Sequence, residues 1–347
     1  MREINNSRIG WIDNLKGIAI LLVVIRHVMQ ANILDCSETV IGNAIFAVQM
    51  PLFMAIAGFF SITSDKYYQN AEALKAYVKK RAIHYMLPFF SWFVVVYVLI
   101  RGFYDRNLVK AITTLINNVD VGLWFLYVVF MLSVISIIAN AICRRLNLPL
   151  KTGITPIIVG GGLLLPLLVV GRLFGLRFLG INLLLYYYLF FAAGRFLFCN
   201  QKLIKRCFNS HFALYGTCLL SAAIYILIVL NHNIELAPDG IENICLRILA
   251  AVAGCTAIAI EVYIFSRGRT NKLLEILGQN TLEVYVVHVH YIGLLSKGIH
   301  YLYTVDGLIV LLVALLITAL MSFVTILVMK KIPALNFIFF GKQQSER

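Results

Sequence analysis

Ten apolar runs, each close to the length of one bilayer crossing, fill most of this 347-residue chain: 15–34, 41–62, 82–100, 121–142, 154–171, 180–199, 212–230, 244–266, 281–297 and 307–329. A helix needs about 20 residues to cross the hydrocarbon layer. No stretch between the runs exceeds roughly twenty residues, too little for a soluble domain. With 61% hydrophobic and 13% charged side chains and a mean hydropathy of +0.87, the chain carries more apolar surface than a core of its own could bury, so the bilayer must be its solvent. The expected fold is all-α: a polytopic integral membrane helix bundle of about ten transmembrane helices, one domain over 1–347, with an N-terminal segment at 1–14 and a tail at 335–347 in the cytosol.

A net charge of +14 could suit nucleic acid, but the basic residues sit in short clusters between apolar runs. With a cytosolic N-terminus, 21 of the 30 lysines and arginines fall on the inner side, the asymmetry that sets orientation in membranes. Both termini are then cytosolic, the lipid bilayer is a partner, and no nucleic acid is expected. The first run reads as a retained span, because no small-residue cleavage site follows it. The seven cysteines lack CxxC or metal-ligand spacing, so they read as structural and no metal site is expected. The segment 63–80 suggests a short amphipathic helix at the membrane surface. The segment 231–243, with Glu235, Asp239 and Glu242, reads as a polar outer loop. No internal repeat is visible, and no helix broken near the midplane is expected.

Ionisable residues inside the spans stand out against this background. Lys16 and His27 are eleven residues apart in the first run, which on a helix brings them to one face about 16 Å apart. A charge at His27's depth costs a few kcal/mol even on lenient insertion scales. Either Arg26 and His27 face the bundle interior or a wet cavity, or Arg26 snorkels outward and His27 hydrogen-bonds a neighbouring helix. In the ninth run Glu283, His288 and His290 cannot all face lipid; His288 is either a helix-bridging group or a site residue, and His290, two residues on, points elsewhere. Lys79, Lys80, Arg81 and His84 open the third run, as a positive-inside anchor or as an edge that binds phosphates. Trp124 heads the fourth, as an interfacial belt residue or a sugar-stacking platform.

Together these segments resemble the acyltransferase family 3 membrane proteins, which include polysaccharide O-acetyltransferases and fucose 4-O-acetylase-like enzymes, along nearly the whole chain. The resemblance rests on Asp13-x-x-Lys16-Gly17, an apolar run and His27; Met50-Pro51-Leu52-Phe53-Met54 with Gly58-Phe59; Arg81 with Pro88; Leu123-Trp124-Phe125-Leu126; Phe190-Phe191-x-x-Gly194-Arg195; and Leu277-Gly278-x-x-Thr281-Leu282-x-x-Tyr285-x-x-His288. The chain departs from the family at Lys16, where arginine is usual, and at His84, where an Arg-x-x-Arg pair is common.

The resemblance implies a membrane O-acyltransferase of the bacterial cytoplasmic membrane that moves an acetyl or other short acyl group onto a hydroxyl of an envelope or lipid-linked glycan. It implies acetyl-CoA or another acyl-CoA as donor substrate and no permanently bound cofactor. His27 is then the catalytic residue, as general base or as an acyl-histidine nucleophile. Arg26, Asp13, His288 and Glu283 are candidate catalytic or stabilising residues. Lys16, Lys79, Lys80, Arg81 and His84 would meet the donor, and Trp124 the acceptor. Asp13 lies ~20 Å down the helix from His27, so it pairs with Lys16 or another cytosolic group. Arg26, about 100° round, either stabilises an oxyanion or pairs with a carboxylate. The alternative is a transporter or flippase for a glycolipid or small solute that uses Arg26, His27, Glu283 and His288; the lack of repeats and of broken helices counts against it.

Overall fold

The structure, a computed structural model, describes residues 10–61, 65–68, 70–237, 240–266, 271–295 and 300–342, and every regular element among them is helical. The helices are α1 (Gly10–Asn32), α2 (Val40–Phe59), α3 (Ala71–Ser91, continued by a π-helical stretch Trp92–Ile100), α4 (Leu108–Asn117), α5 (Trp124–Arg145), α6 (Ile154–Phe174), α7 (Ile181–Cys199), α8 (Gln201–Asn209), α9 (His211–Asn231), α10 (Ile241–Phe265), α11 (Lys272–Gln279), α12 (Thr281–His288), α13 (Val305–Lys331) and α14 (Pro333–Phe340).

Among the described residues eight helices are long and apolar enough to cross a membrane: α2, α3 with its extension, α5, α6, α7, α9, α10 and α13. Helix α1 has the length of a span, 23 residues, but Asp13, Lys16 and Arg26 lower its apolar character. Burial of Asp13 and Arg26 against protein makes that tolerable.

The expected ninth span is corrected. Of the run 281–297, Thr281–His288 form the short α12 and 289–295 form turns, while 296 and 297 lie outside the described residues; the short α11 precedes the run across Asn280. Non-helical backbone survives at membrane depth only where protein satisfies it. Here Asn32 Nδ2 donates to the Ile292 carbonyl at 2.7 Å and Thr318 Oγ1 to the Tyr291 carbonyl at 3.3 Å. The run is therefore a short helix followed by turns, not one continuous span. The surface helix over 63–80 is corrected as well: residues 62–64 and 69 lie outside the described residues, 65–68 form a 3₁₀ turn, and from Ala71 the chain is already the third span. The Asn70 side chain caps that start by accepting from the Glu72 N–H, and no breaker separates residue 71 from the apolar run. Helix α4 was not anticipated.

The chain divides into two compact units, residues 1–53 with 205–328 and residues 54–204 with 329–347. In the first, Ala47, Val48, Ile228, Ile234 and Ala250 form one apolar cluster and Met29, Ile33, Cys36, Ile45 and Leu302 another. Gly17 and Gly278 set the contact of α1 with α11. A Cβ on Gly17 would collide with the Leu274 carbonyl, and one on Gly278 with the Asp13 carbonyl, the close backbone approach by which membrane helices gain van der Waals contact. In the second unit Gly58 and Gly194 play the same reciprocal part, against the carbonyls of Phe191 and Ala55. Helix α14 is docked there by Trp92 Nε1 donating to the Phe339 carbonyl at 2.9 Å, and Phe340 is fully buried.

Candidate active site

In the first unit the contact of α1 with α11 feeds directly into α12, and α12 brings His288 beside His27. His27 Nδ1 and His288 Nε2 are 2.8 Å apart. The ring centroids are 5.1 Å apart with planes within 9°. Since the nitrogens are far closer than the centroids, the rings lie end to end in nearly one plane, as an N–H···N bond requires.

The other nitrogen of His288 fixes the proton positions. His288 Nδ1 is 2.8 Å from the Val284 carbonyl oxygen, and a carbonyl only accepts, so Nδ1 carries hydrogen. In a neutral imidazole Nε2 is then an acceptor. His27 must donate to it from Nδ1, which leaves the lone pair of neutral His27 on Nε2. Val284, His288 and His27 therefore form a directed relay that ends on a basic nitrogen. His288 is fully buried while His27 is partly exposed, so the reachable end of the relay is His27.

Arg26 is committed elsewhere. It is 1% exposed, and its guanidinium donates to Glu235 Oε1, to Ser37 Oγ at 3.2 Å and to Cys36 Sγ at 2.6 Å. Ser37 Oγ also donates to Glu235 at 2.9 Å. Of the two roles open to Arg26, the structure shows the pairing with a carboxylate. Glu235 is the residue that sequence reasoning missed as its partner: it is one of three acids in a polar loop, and no periodicity connects positions 209 residues apart. The loop is fixed by Arg247 Nε donating to the Ile234 carbonyl and by the Ile234 N–H donating to Asn43 Oδ1. Burial pushes the Cys36 thiol, in the α1–α2 connection, up from its ordinary 9.0 to about 11, so it stays protonated at neutral pH and is no nucleophile.

Asp13 pairs with Lys16 at 3.1 Å, one turn away on α1, far down the helix from His27. Glu283 is fully buried in the first turn of α12. His290 lies in the turn beyond that helix.

The remaining sequence candidates belong to the second unit. Lys79 and Lys80 are exposed on α3. Arg81 donates to Tyr77 Oη at 2.8 Å and to Ser133 Oγ at 2.9 Å, and it lies over the rings of Tyr77 and Tyr85. His84 packs edge-on against Tyr85. Trp124 starts α5 and stacks on Tyr187 with centroids 5.1 Å apart. Among the described residues no group of three or more histidine, cysteine or acidic side chains could hold a metal ion.

Eight helices long and apolar enough to cross a membrane mark a multi-pass membrane protein, and in its first unit a histidine pair joins α1 to α12. The chain belongs to the acyltransferase 3 family, whose acyltransferase-domain model matches residues 9–329, and it is thus a membrane acyltransferase. No curated protein and no solved structure matches the chain.

Proposed function

We propose that this acyltransferase moves an acetyl or similarly short acyl group from cytosolic acyl-CoA to a hydroxyl of an envelope or lipid-linked glycan in a bacterial cytoplasmic membrane, with His27 as the catalytic residue. The observation that supports this most is the Val284–His288–His27 relay, which leaves the His27 Nε2 lone pair at the accessible end.

In the reaction His27 Nε2 takes the proton of the acceptor hydroxyl as its oxygen attacks the thioester carbonyl. The imidazolium that forms keeps its Nδ1–H on His288. The carbon–sulfur bond then breaks, and the departing thiolate recovers the proton from Nε2. A second route uses the same lone pair as nucleophile: Nε2 attacks the thioester carbonyl and the CoA thiolate leaves, giving an acyl-histidine; the acceptor oxygen then attacks that carbonyl, the N–acyl bond breaks, and the hydroxyl proton passes to the thiolate, leaving the Nε2 lone pair free again. Brief exposure to labelled acetyl-CoA without acceptor separates the two, because only the second leaves label on the protein.

A CoA nucleotide is polyanionic and cannot enter hydrocarbon, so it would meet the cytosolic edge of α1, where Lys16 stands. Its pantetheine arm, on the order of 15 to 20 Å if extended at bond lengths like those of a peptide chain, matches the ~16 Å from Lys16 to His27.

The test is acetyl transfer from labelled acetyl-CoA to a cell-envelope glycan fraction by the purified protein. Wild type is expected to transfer label and His27→Ala to lose it. Equal transfer by both removes His27 from catalysis. No transfer by either, with solute or glycolipid movement that depends on the protein, selects the transporter reading.

A further inference from the structure

Two bridges join α1 to the segment that carries His288. The first is the His27–His288 contact itself. The second lies five residues further along α1, about 7.5 Å by helical rise. There the Asn32 side chain, 5% exposed, donates from Nδ2 to the Ile292 carbonyl at 2.7 Å and to the Val28 carbonyl of its own helix at 2.8 Å. Both hydrogens of the amide nitrogen are thereby engaged, which fixes its orientation.

Ile292 is tied closely to His288. Helix α12 ends at His288, and the chain then turns through short-range bonds: the His290 N–H donates to the Val287 carbonyl at 3.1 Å and the Tyr291 N–H to the His288 carbonyl at 2.9 Å. From α13, Thr318 Oγ1 donates to the Tyr291 carbonyl at 3.3 Å, and Thr325 Oγ1 shares a hydrogen bond with Tyr291 Oη at 2.7 Å. The turn is thus held by Asn32 on one side and by two threonines on the other.

Helix α12 is only eight residues long and follows α11 across Asn280, so its far end needs an anchor if it is not to pivot. The relay tolerates little pivoting, because an N–H···N bond weakens steeply with distance and angle. We infer that Asn32 is a positioning residue: by anchoring the turn after α12 to the helix that carries His27, it holds His288 Nε2 within hydrogen-bond reach of His27 Nδ1. The effect on turnover rests on the acyl-transfer reading above; the geometric role does not.

The experiment pairs nuclear magnetic resonance of the full-length protein in nanodiscs, with isotope-labelled histidine side chains, with the kinetics of acetyl transfer. Wild type is expected to show nitrogen–nitrogen coupling across the His27–His288 hydrogen bond. Asn32→Leu, which keeps bulk and removes both donors, is expected to lose it; Asn32→Ser, too short to reach Ile292, repeats the measurement should Asn32→Leu not fold. In transfer, Asn32→Leu should lower kcat about ten- to a hundredfold, as a small misplacement does, with KM nearly unchanged, and Asn32→Gln, with its amide on a longer arm, should lower it less. In a His288→Ala background the same Asn32→Leu change should cost under about twofold, since no relay is left to position. Absence of the coupling in wild type overturns the inference, whether or not the variants fold. Coupling that survives in folded Asn32→Leu or Asn32→Ser overturns it, as does a loss of kcat equally large with and without His288, or a raised KM at constant kcat. Coupling present in wild type and lost in Asn32→Leu, with no acetyl transfer by wild type, would sink the proposed reaction and leave the positioning role standing.

Discussion

At the scale of single residues, His27 and His288 differ in role because they differ in partners. His288 spends one nitrogen on the Val284 carbonyl and the other on His27, so it has no valence left for a substrate, and in the proposed reaction its part is to position His27. Its effect should therefore fall on turnover rather than on binding. His288→Ala is expected to lower kcat between about 10²- and 10⁴-fold, the range spanned by losing a general base or its orienting partner, with KM nearly unchanged. A raised KM at constant kcat would instead place His288 in contact with substrate. The pH profile gives a second readout, since only a residue acting through His27 should shift the midpoint that His27 sets.

At the scale of elements, the glycines of the matching motifs are where helices touch. Gly17 and Gly278 bring the backbones of α1 and α11 together, and α12, which follows across Asn280, inherits its position from that contact. A methyl group at either glycine meets a carbonyl that belongs to a helix and cannot rotate away. Gly17→Ala or Gly278→Ala should cost about 1 to 3 kcal/mol, as overpacking does, and should reduce transfer at least tenfold by separating His288 from His27. Kinetics together with far-UV circular dichroism checks this: full activity with unchanged helix content would show that α12 is positioned independently of the α1–α11 contact. The same elements show why the ninth run misleads. Its residues are apolar enough for a span, yet Asn32 and Thr318 satisfy backbone over 289–295 that a helix would have satisfied by itself.

At the scale of the whole molecule, the charges inside the membrane are managed by residues far away in sequence. Arg26 and Glu235 pair across 209 positions, in an environment where Arg26 is almost wholly enclosed. Removing one member of a buried pair leaves an uncompensated charge, whereas replacing both by apolar groups need cost little. Arg26→Met alone and Glu235→Leu alone are each expected to destabilise by about 3 to 5 kcal/mol, and the double substitution should recover most of that in mixed-micelle unfolding. Additive losses would mean that the pair is not the unit that matters.

Much of this was legible in the sequence. Apolar runs of bilayer length fix the all-helical membrane class, because lipid leaves backbone polar groups few ways to be satisfied. The exceptional polar residues Arg26, His27, Glu283 and His288 are visible because their burial is costly, and Asp13 finds Lys16 through a local helical spacing. Pairings across long stretches of chain were not legible. That His27 meets His288, that Arg26 meets Glu235, and that Arg195 meets Ser136 and Asn140 depend on which helix faces are brought together. Local periodicity says which residues share a face; only tertiary packing decides which face another helix covers, and with it where the protons and charges of this protein are held.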